Sequence, residues 1–137
     1  MAHDFKLFPE LTNNQMAFYY FDSPHKQILE GFIGTVTDVH DGDTIKVKTD
    51  FRNFDTRIRF ANIAAPELKE SGGKNSQTWL QKRILGKEVY VHINPKNRVG
   101  KWGRLLGTIN EGGLDVGLES ILFGHSIPFS EINAGGI

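Results

Sequence analysis

From Gly31 onward the pattern of apolar and polar positions turns to β, with stretches that alternate at the two-residue period of strands buried on one face. Ile33, Val36 and Val39 predict a first strand ending at His40, and Asp41-Gly42-Asp43 reads as a tight turn. Thr44-Ile45-Lys46-Val47-Lys48 alternates out of that turn, residues 50–53 form a second turn, and Arg57-Ile58-Arg59-Phe60 alternates again. Pro66 ends this meander, and Ser71-Gly72-Gly73 predicts a loop. Asn75 or Ser76 then caps a helix that sets Trp79, Leu80 and Ile84 on one face and stops at Gly86. Val89, Val91 and Ile93 mark a fourth strand, and a glycine-bearing loop over 96–103 leads to a fifth over 104–110. Asp115 caps a second helix carrying Val116, Leu118, Ile121 and Leu122, which Gly124 ends.

Three strands, a helix, two strands and a helix is the order of a five-stranded Greek-key barrel of the OB type. The expected fold class is therefore mainly β with α, that is α+β, over residues 31–128, with a short tail at 129–137. Residues 1–30 differ. Phe5, Leu7, Phe8 and Leu11 precede Thr12-Asn13-Asn14, and Met16-Ala17-Phe18-Tyr19-Tyr20-Phe21 follows before Asp22-Ser23-Pro24 breaks the run. Thr12 or Asn13 could cap a short helix there, although the aromatics would also suit a strand. Aromatics this dense predict a docking segment, packed either across the barrel or on a protein partner.

Composition narrows the function classes. A chain of 137 residues with 39% hydrophobic residues and a mean hydropathy of −0.33 has room for one packed domain. No apolar run approaches the ~20 residues of a membrane span, so no membrane role is expected. Residues 1–10 carry no apolar stretch of the secretory type, which favours the cytoplasm or a viral particle over secretion. The absence of cysteine excludes disulfides and thiolate metal sites. Net charge is zero, but it is segregated. Residues 1–31 hold four acids against two bases, 105–137 hold four acids and no base, and 32–104 hold 14 bases against 8 acids. A basic middle suits an anionic partner; solvated surface charge would give the same pattern.

Three segments carry candidate chemistry. Asp41-Gly42-Asp43-Thr44 sets two carboxylates on one turn, where they could hold a hard cation or simply make the turn. Arg57 and Arg59 share one face of a strand, and Glu67 follows Pro66 in the loop beyond it, placed for proton transfer. Lys96, Arg98, Lys101 and Arg104 surround Trp102 in a glycine-flexed loop, a pattern that suits phosphates and a stacked base; Trp102 could equally be a core residue.

Taken together these segments resemble the staphylococcal nuclease (thermonuclease) family. The match runs through 36–44, then Arg59-Phe60-Ala61-Asn62-Ile63-Ala64-Ala65-Pro66-Glu67, then Val99-Gly100-Lys101-Trp102-Gly103-Arg104, and covers about residues 32–128 in order. The resemblance implies metal-assisted hydrolysis of DNA or RNA, with Arg59, Glu67 and Arg104 catalytic. It implies a weak calcium site, or one for magnesium, at Asp43 and the Ala65 carbonyl, with Asp41 as a further candidate. Trp102, Lys101, Arg98, Lys46 and Arg57 are the expected nucleic-acid contacts. One departure matters: Ala64 stands where the family has a second metal carboxylate, which should weaken the metal and leaves room for a catalytically weak module in a larger assembly.

Overall fold

A computed structural model describes residues 2–100 and 103–129. In chain order the elements are α1 (Asn13–Tyr19), β1 (Phe32–Asp41), β2 (Thr44–Lys48), β3 (Thr56–Phe60), β4 (Ile63–Ala64), α2 (Gly73–Ile84), β5 (Glu88–His92), β6 (Leu105–Glu111), β7 (Leu114–Asp115), α3 (Val116–Leu122) and β8 (Ile127–Pro128). β1 pairs antiparallel with both β2 and β5, and register shifts between Val36 and Asp38 and between Val39 and Asp41 let its ten residues bend from one partner to the other. β2 pairs with β3, and β5 with β6. The parallel pairing Ile58↔Leu105, Arg59↔Leu106 and Phe60↔Gly107 joins β3 to β6 and closes the five long strands into the expected barrel.

The core is the inward set of these strands, among them Val36, Ile45, Val47, Ile58, Val91 and Ile109, capped by Leu80 and Ile84 of α2. α2 starts earlier than the sequence suggests. Gly72 sits at its N-cap with φ +82°, and Gly73, read as loop, is already helical. No side chain caps this end; the entry turns on a left-handed backbone that glycine adopts without strain. Asp115 caps α3 as predicted, accepting from Leu118 N at 3.1 Å. Past Pro128 only Phe129 is described, its N–H donating to Asn62 O at 3.1 Å; the rest of the tail lies outside the described residues. No helix among the described residues is long and apolar enough to cross a membrane.

The N-terminal segment is stitched to the barrel chiefly by polar groups, with the His25 ring edge-on to Phe54. Thr12 and Gln15 form a capping box at the start of α1. Just before it, the Glu10 carboxylate accepts from Arg52 Nη2 at 2.7 and 2.5 Å, in an ion pair with side chains 3% and 0% exposed. Arg52 also donates to Lys26 O and Thr56 Oγ1, and Ile28 N–H donates to Glu10 Oε1. Leu11 is wholly buried and Ile28 belongs to the main core. Packing therefore runs straight across residue 30. Phe18 of α1 and Phe21, in the 3₁₀ turn over Tyr20–Asp22 that follows it, stay 79% and 96% exposed.

Arg98 needs a correction. Expected on the nucleic-acid face, it is 2% exposed and turned inward. Its Nε donates to Ile28 O at 2.6 Å, and its Nη1 to Leu11 O and Asn13 Oδ1 at 3.0 Å each. The arm offers backbone carbonyls with no strand partner, and this guanidinium satisfies them.

Candidate active site

The turn between β1 and β2 is held in place by α2. Gln77 Nε2 donates to the carbonyls of Val39 and His40 at 3.2 and 3.1 Å. A side chain on Gly42 would meet Ser76 Oγ at 1.9 Å and Ala65 Cβ at 2.6 Å. Gly42 has no positive φ among the described glycines that do. It is glycine because the helix and the β4 loop press on it, not because the turn demands a left-handed residue. Beyond it, Asp43 N–H donates to Asp41 Oδ1 at 3.0 Å, fixing the two acids side by side.

Asp43 is buried. Its Oδ2 accepts from Ala65 N–H at 2.9 Å and lies 3.4 Å from Arg59 Nη2, and Thr44 Oγ1 donates to its Oδ1 at 3.2 Å. Burial, reinforced by the Asp41 side chain, pushes its carboxyl up to about 6, while the Ala65 N–H and Arg59 pull against the rise. The folded state therefore holds the Asp43 proton more tightly than the unfolded chain, and stability falls as pH rises from about 4 through about 6. The difference corresponds to about 3 kcal/mol. Asp43→Asn keeps an oxygen for the Ala65 N–H and removes the charge. It is expected to melt higher than the native chain at pH 8, with the gain vanishing below pH 4; an equal gain at both values, in thermal melts, would assign the effect to something other than the carboxylate charge.

Arg59 extends from β3 and is clamped from behind. Its Nη1 donates to Phe60 O and, at 2.8 Å, to Ile63 O. Burial lowers its proton affinity, the Asp43 charge raises it, and the nearby Arg104 charge lowers it again. The Asp41 charge also raises it, so two guanidinium groups and two carboxylates gather at this place.

Arg104 and Glu67 line one cleft of about 380 Å³ with Asp41, Thr44 and Arg57. Glu67 is exposed, and its loop is fixed by its backbone. Glu67 N–H donates to Glu70 Oε1 at 2.7 Å, and Glu70 N–H donates to Glu67 O at 2.9 Å. A Cβ on Gly73 would come within 1.9 Å of Glu67 O, so the first residue of α2 sets how near this loop can lie.

The expected site residues thus divide. Glu67, Arg104, Asp41 and Arg57 share the cleft, and the Asp43–Arg59 pair adjoins it through Asp41 and Arg104. Lys46 lines a neighbouring cleft with Arg57, Glu67 and Arg104. Ala65 reaches the group through its N–H; Ala64 and Ala65 themselves line a separate cavity with His125 and Ser126. Lys101 and Trp102 lie outside the described residues. Among these, Arg98 is the one turned away. Sequence reasoning missed Lys6, Leu7 and Phe8, which wall the larger cleft from the arm. Their signal was present as a cation among aromatics, but nothing local said which surface the arm would cross.

No family model matches the chain. It is 41% identical over 76 residues to an uncharacterised endonuclease of Escherichia coli O157:H7, an alignment covering 56% of this chain and 46% of that protein, and a second Escherichia coli protein of the same name matches equally. It is 25% identical over 127 residues to the probable endonuclease LCL3 of Arthroderma otae, covering 74% of this chain and 41% of that protein. The chain spans about half the length of the curated relatives it matches first, and what these proteins share by name is endonuclease activity.

Proposed function

We propose that this chain hydrolyses phosphodiester bonds in DNA, RNA or both, as a nuclease of the staphylococcal type. The observation that carries the reading is the grouping of Glu67 and Arg104 in one cleft beside the buried Asp43–Arg59 pair. The likeness to proteins named as endonucleases supports it. In the reaction a water oxygen attacks phosphorus, Glu67 accepts the proton released, and the bond from phosphorus to the leaving ester oxygen breaks, that oxygen taking a proton from solvent. Negative charge grows on the non-bridging oxygens, where the guanidinium forks of Arg59 and Arg104 stabilise it with paired hydrogen bonds.

The donor set fits a divalent cation held by few protein atoms. Asp41 and Asp43 are side by side, and their mutual repulsion would be relieved by a cation. No group of three or more His, Asp or Glu side chains suited to a metal occurs among the described residues, so Asp41 and Asp43 are the carboxylates available to an ion here. Asp43 and Asp41 would hold the ion, with the Ala65 carbonyl as the family resemblance implies. When bound, calcium or magnesium would neutralise phosphate charge and favour attack by water.

Incubating the full chain with labelled DNA and RNA in calcium, magnesium or chelator tests this. Cleavage with a divalent cation and its loss in chelator are expected; intact substrate under every condition would overturn the reading. Ala64 in place of a carboxylate and the exposed Phe18 and Phe21 favour one second reading, a catalytically weak module that binds nucleic acid or protein within a larger assembly such as a virion. Under that reading nucleic acid is retained but not cut.

A further inference from the structure

The largest cleft among those described, about 710 Å³, is not part of the barrel alone. One wall is the N-terminal arm at Lys6, Leu7 and Phe8; the other is Lys46 of β2 with Arg57 of β3; and its end is formed by Glu67 and Arg104, which also line the catalytic cleft. The two clefts therefore share Arg57, Glu67 and Arg104 in their linings.

The arm is shaped for this position. Asp4 Oδ1 accepts from the N–H groups of Lys6 and Leu7 at 3.1 Å each, and Phe8 N–H donates to Asp4 O at 2.9 Å, closing residues 4–8 into one turn. His3 Nε2 lies 2.7 Å from Phe8 O and braces the turn from outside. Phe8 then rests on Gly103, the residue before Arg104. Gly103 has φ +76°, and a Cβ there would lie 2.8 Å from Phe8 Cδ1. The ring keeps 39% of its surface exposed. The side-chain cations of Lys6, Lys46, Arg57 and Arg104 have no hydrogen bond or ion pair among the described residues, whereas Arg52, which also borders this cleft, is spent on Glu10. Cations without a partner among the described residues, set on two walls beside the Asp55 and Glu67 carboxylates, and a partly exposed ring against Gly103 match a nucleotide backbone with an unpaired base. Its volume lies within the ~300–1,000 Å³ range of small-ligand sites, a size that suits a nucleotide or two.

We propose that the arm builds a binding subsite for a single-stranded stretch of the substrate, with Phe8 stacking on the base next to the scissile phosphate and Lys6, Lys46 and Arg57 holding the flanking phosphates. The proposal rests on the nuclease reading for its orientation, yet it can be tested without hydrolysis.

Fluorescence anisotropy of labelled decamers, as single-stranded DNA, single-stranded RNA and duplex DNA, is measured on the full chain in chelator. Phe8→Ala is expected to weaken both single strands about tenfold and duplex less than twofold. Phe8→Trp, which restores a larger ring, should bind single strands at least as tightly as the native chain and rules out a mere folding defect. Lys6→Ala should lower the slope of log K against log salt by about 0.7, the loss of one single-strand phosphate contact. Equal losses on single strands and duplex, no loss with Phe8→Ala, or no binding by the native chain would each overturn the subsite. Arm-dependent binding without cation-dependent cleavage would leave the subsite standing and remove the nuclease reading; cleavage with an unchanged Phe8→Ala binding curve would do the reverse.

Discussion

Glu67→Gln is expected to lower the rate of phosphodiester hydrolysis by a factor of about 10²–10⁴ at saturating substrate, because the amide fills the same space and cannot take the proton from attacking water. Binding should change little, since in the proposed reaction Arg59 and Arg104, not Glu67, meet the phosphate. Stability should move by less than ~0.5 kcal/mol, because the side chain is exposed and the loop is held through its backbone N–H and C=O. Single-turnover cleavage assays separate these quantities. Full activity in the variant would place the proton acceptor elsewhere, and Asp41, the other carboxylate of that cleft, would be the next to replace.

Glu10→Ala should cost the fold about 3–5 kcal/mol, the usual consequence of removing one partner from a buried ion pair. Arg52 would keep its charge in a site 0% exposed, and its Nε already lacks a partner among the described residues. Ile28 N–H would lose its acceptor as well. Against a typical stability of about 5–15 kcal/mol this is a large share, and a fall of about 10–20 °C in melting temperature is expected. Glu10→Gln combined with Arg52→Met should recover part of the loss, because two neutral groups leave no charge stranded. The same reasoning makes deletion of residues 1–28 a loss of core and of Arg98's partners, so the truncated barrel should unfold. A loss below about 1 kcal/mol in Glu10→Ala, read from denaturant curves, would instead make the arm an appendage.

Much of this was legible along the chain. Two-residue alternation placed β2, β3 and β5, because which face of a strand is buried is a local property of its pleat, whereas β1, with its two register shifts, carries its apolar residues at three-residue steps. Asp115 and Gly124 bounded α3, while it was the family resemblance, not local spacing, that marked Asp43, Arg59, Glu67 and Arg104 as groups expected to meet. Local spacing could not say why Gly42 is glycine, since the reason is Ser76 of α2 pressing against it from 34 positions away. Nor could it find the start of α2, where a left-handed Gly72 replaces a side-chain cap.

The sequence by itself determined the elements and the kinds of group available: five strands, two acids on one turn, arginines at a strand and a loop, a cationic and aromatic arm. Tertiary structure decided which of those groups meet. The parallel pairing of Ile58 with Leu105 is what brings β3, carrying Arg59, beside the start of β6, next to Arg104. Arg98 and Arg104, alike in charge and six residues apart, take opposite fates: one is drawn inside by the carbonyls of Leu11 and Ile28, the other is left facing a cleft. A guanidinium is buried only where unpaired carbonyls or a carboxylate are waiting for it, and those partners come from chain segments about 70 to 90 residues distant, beyond the reach of any local pattern.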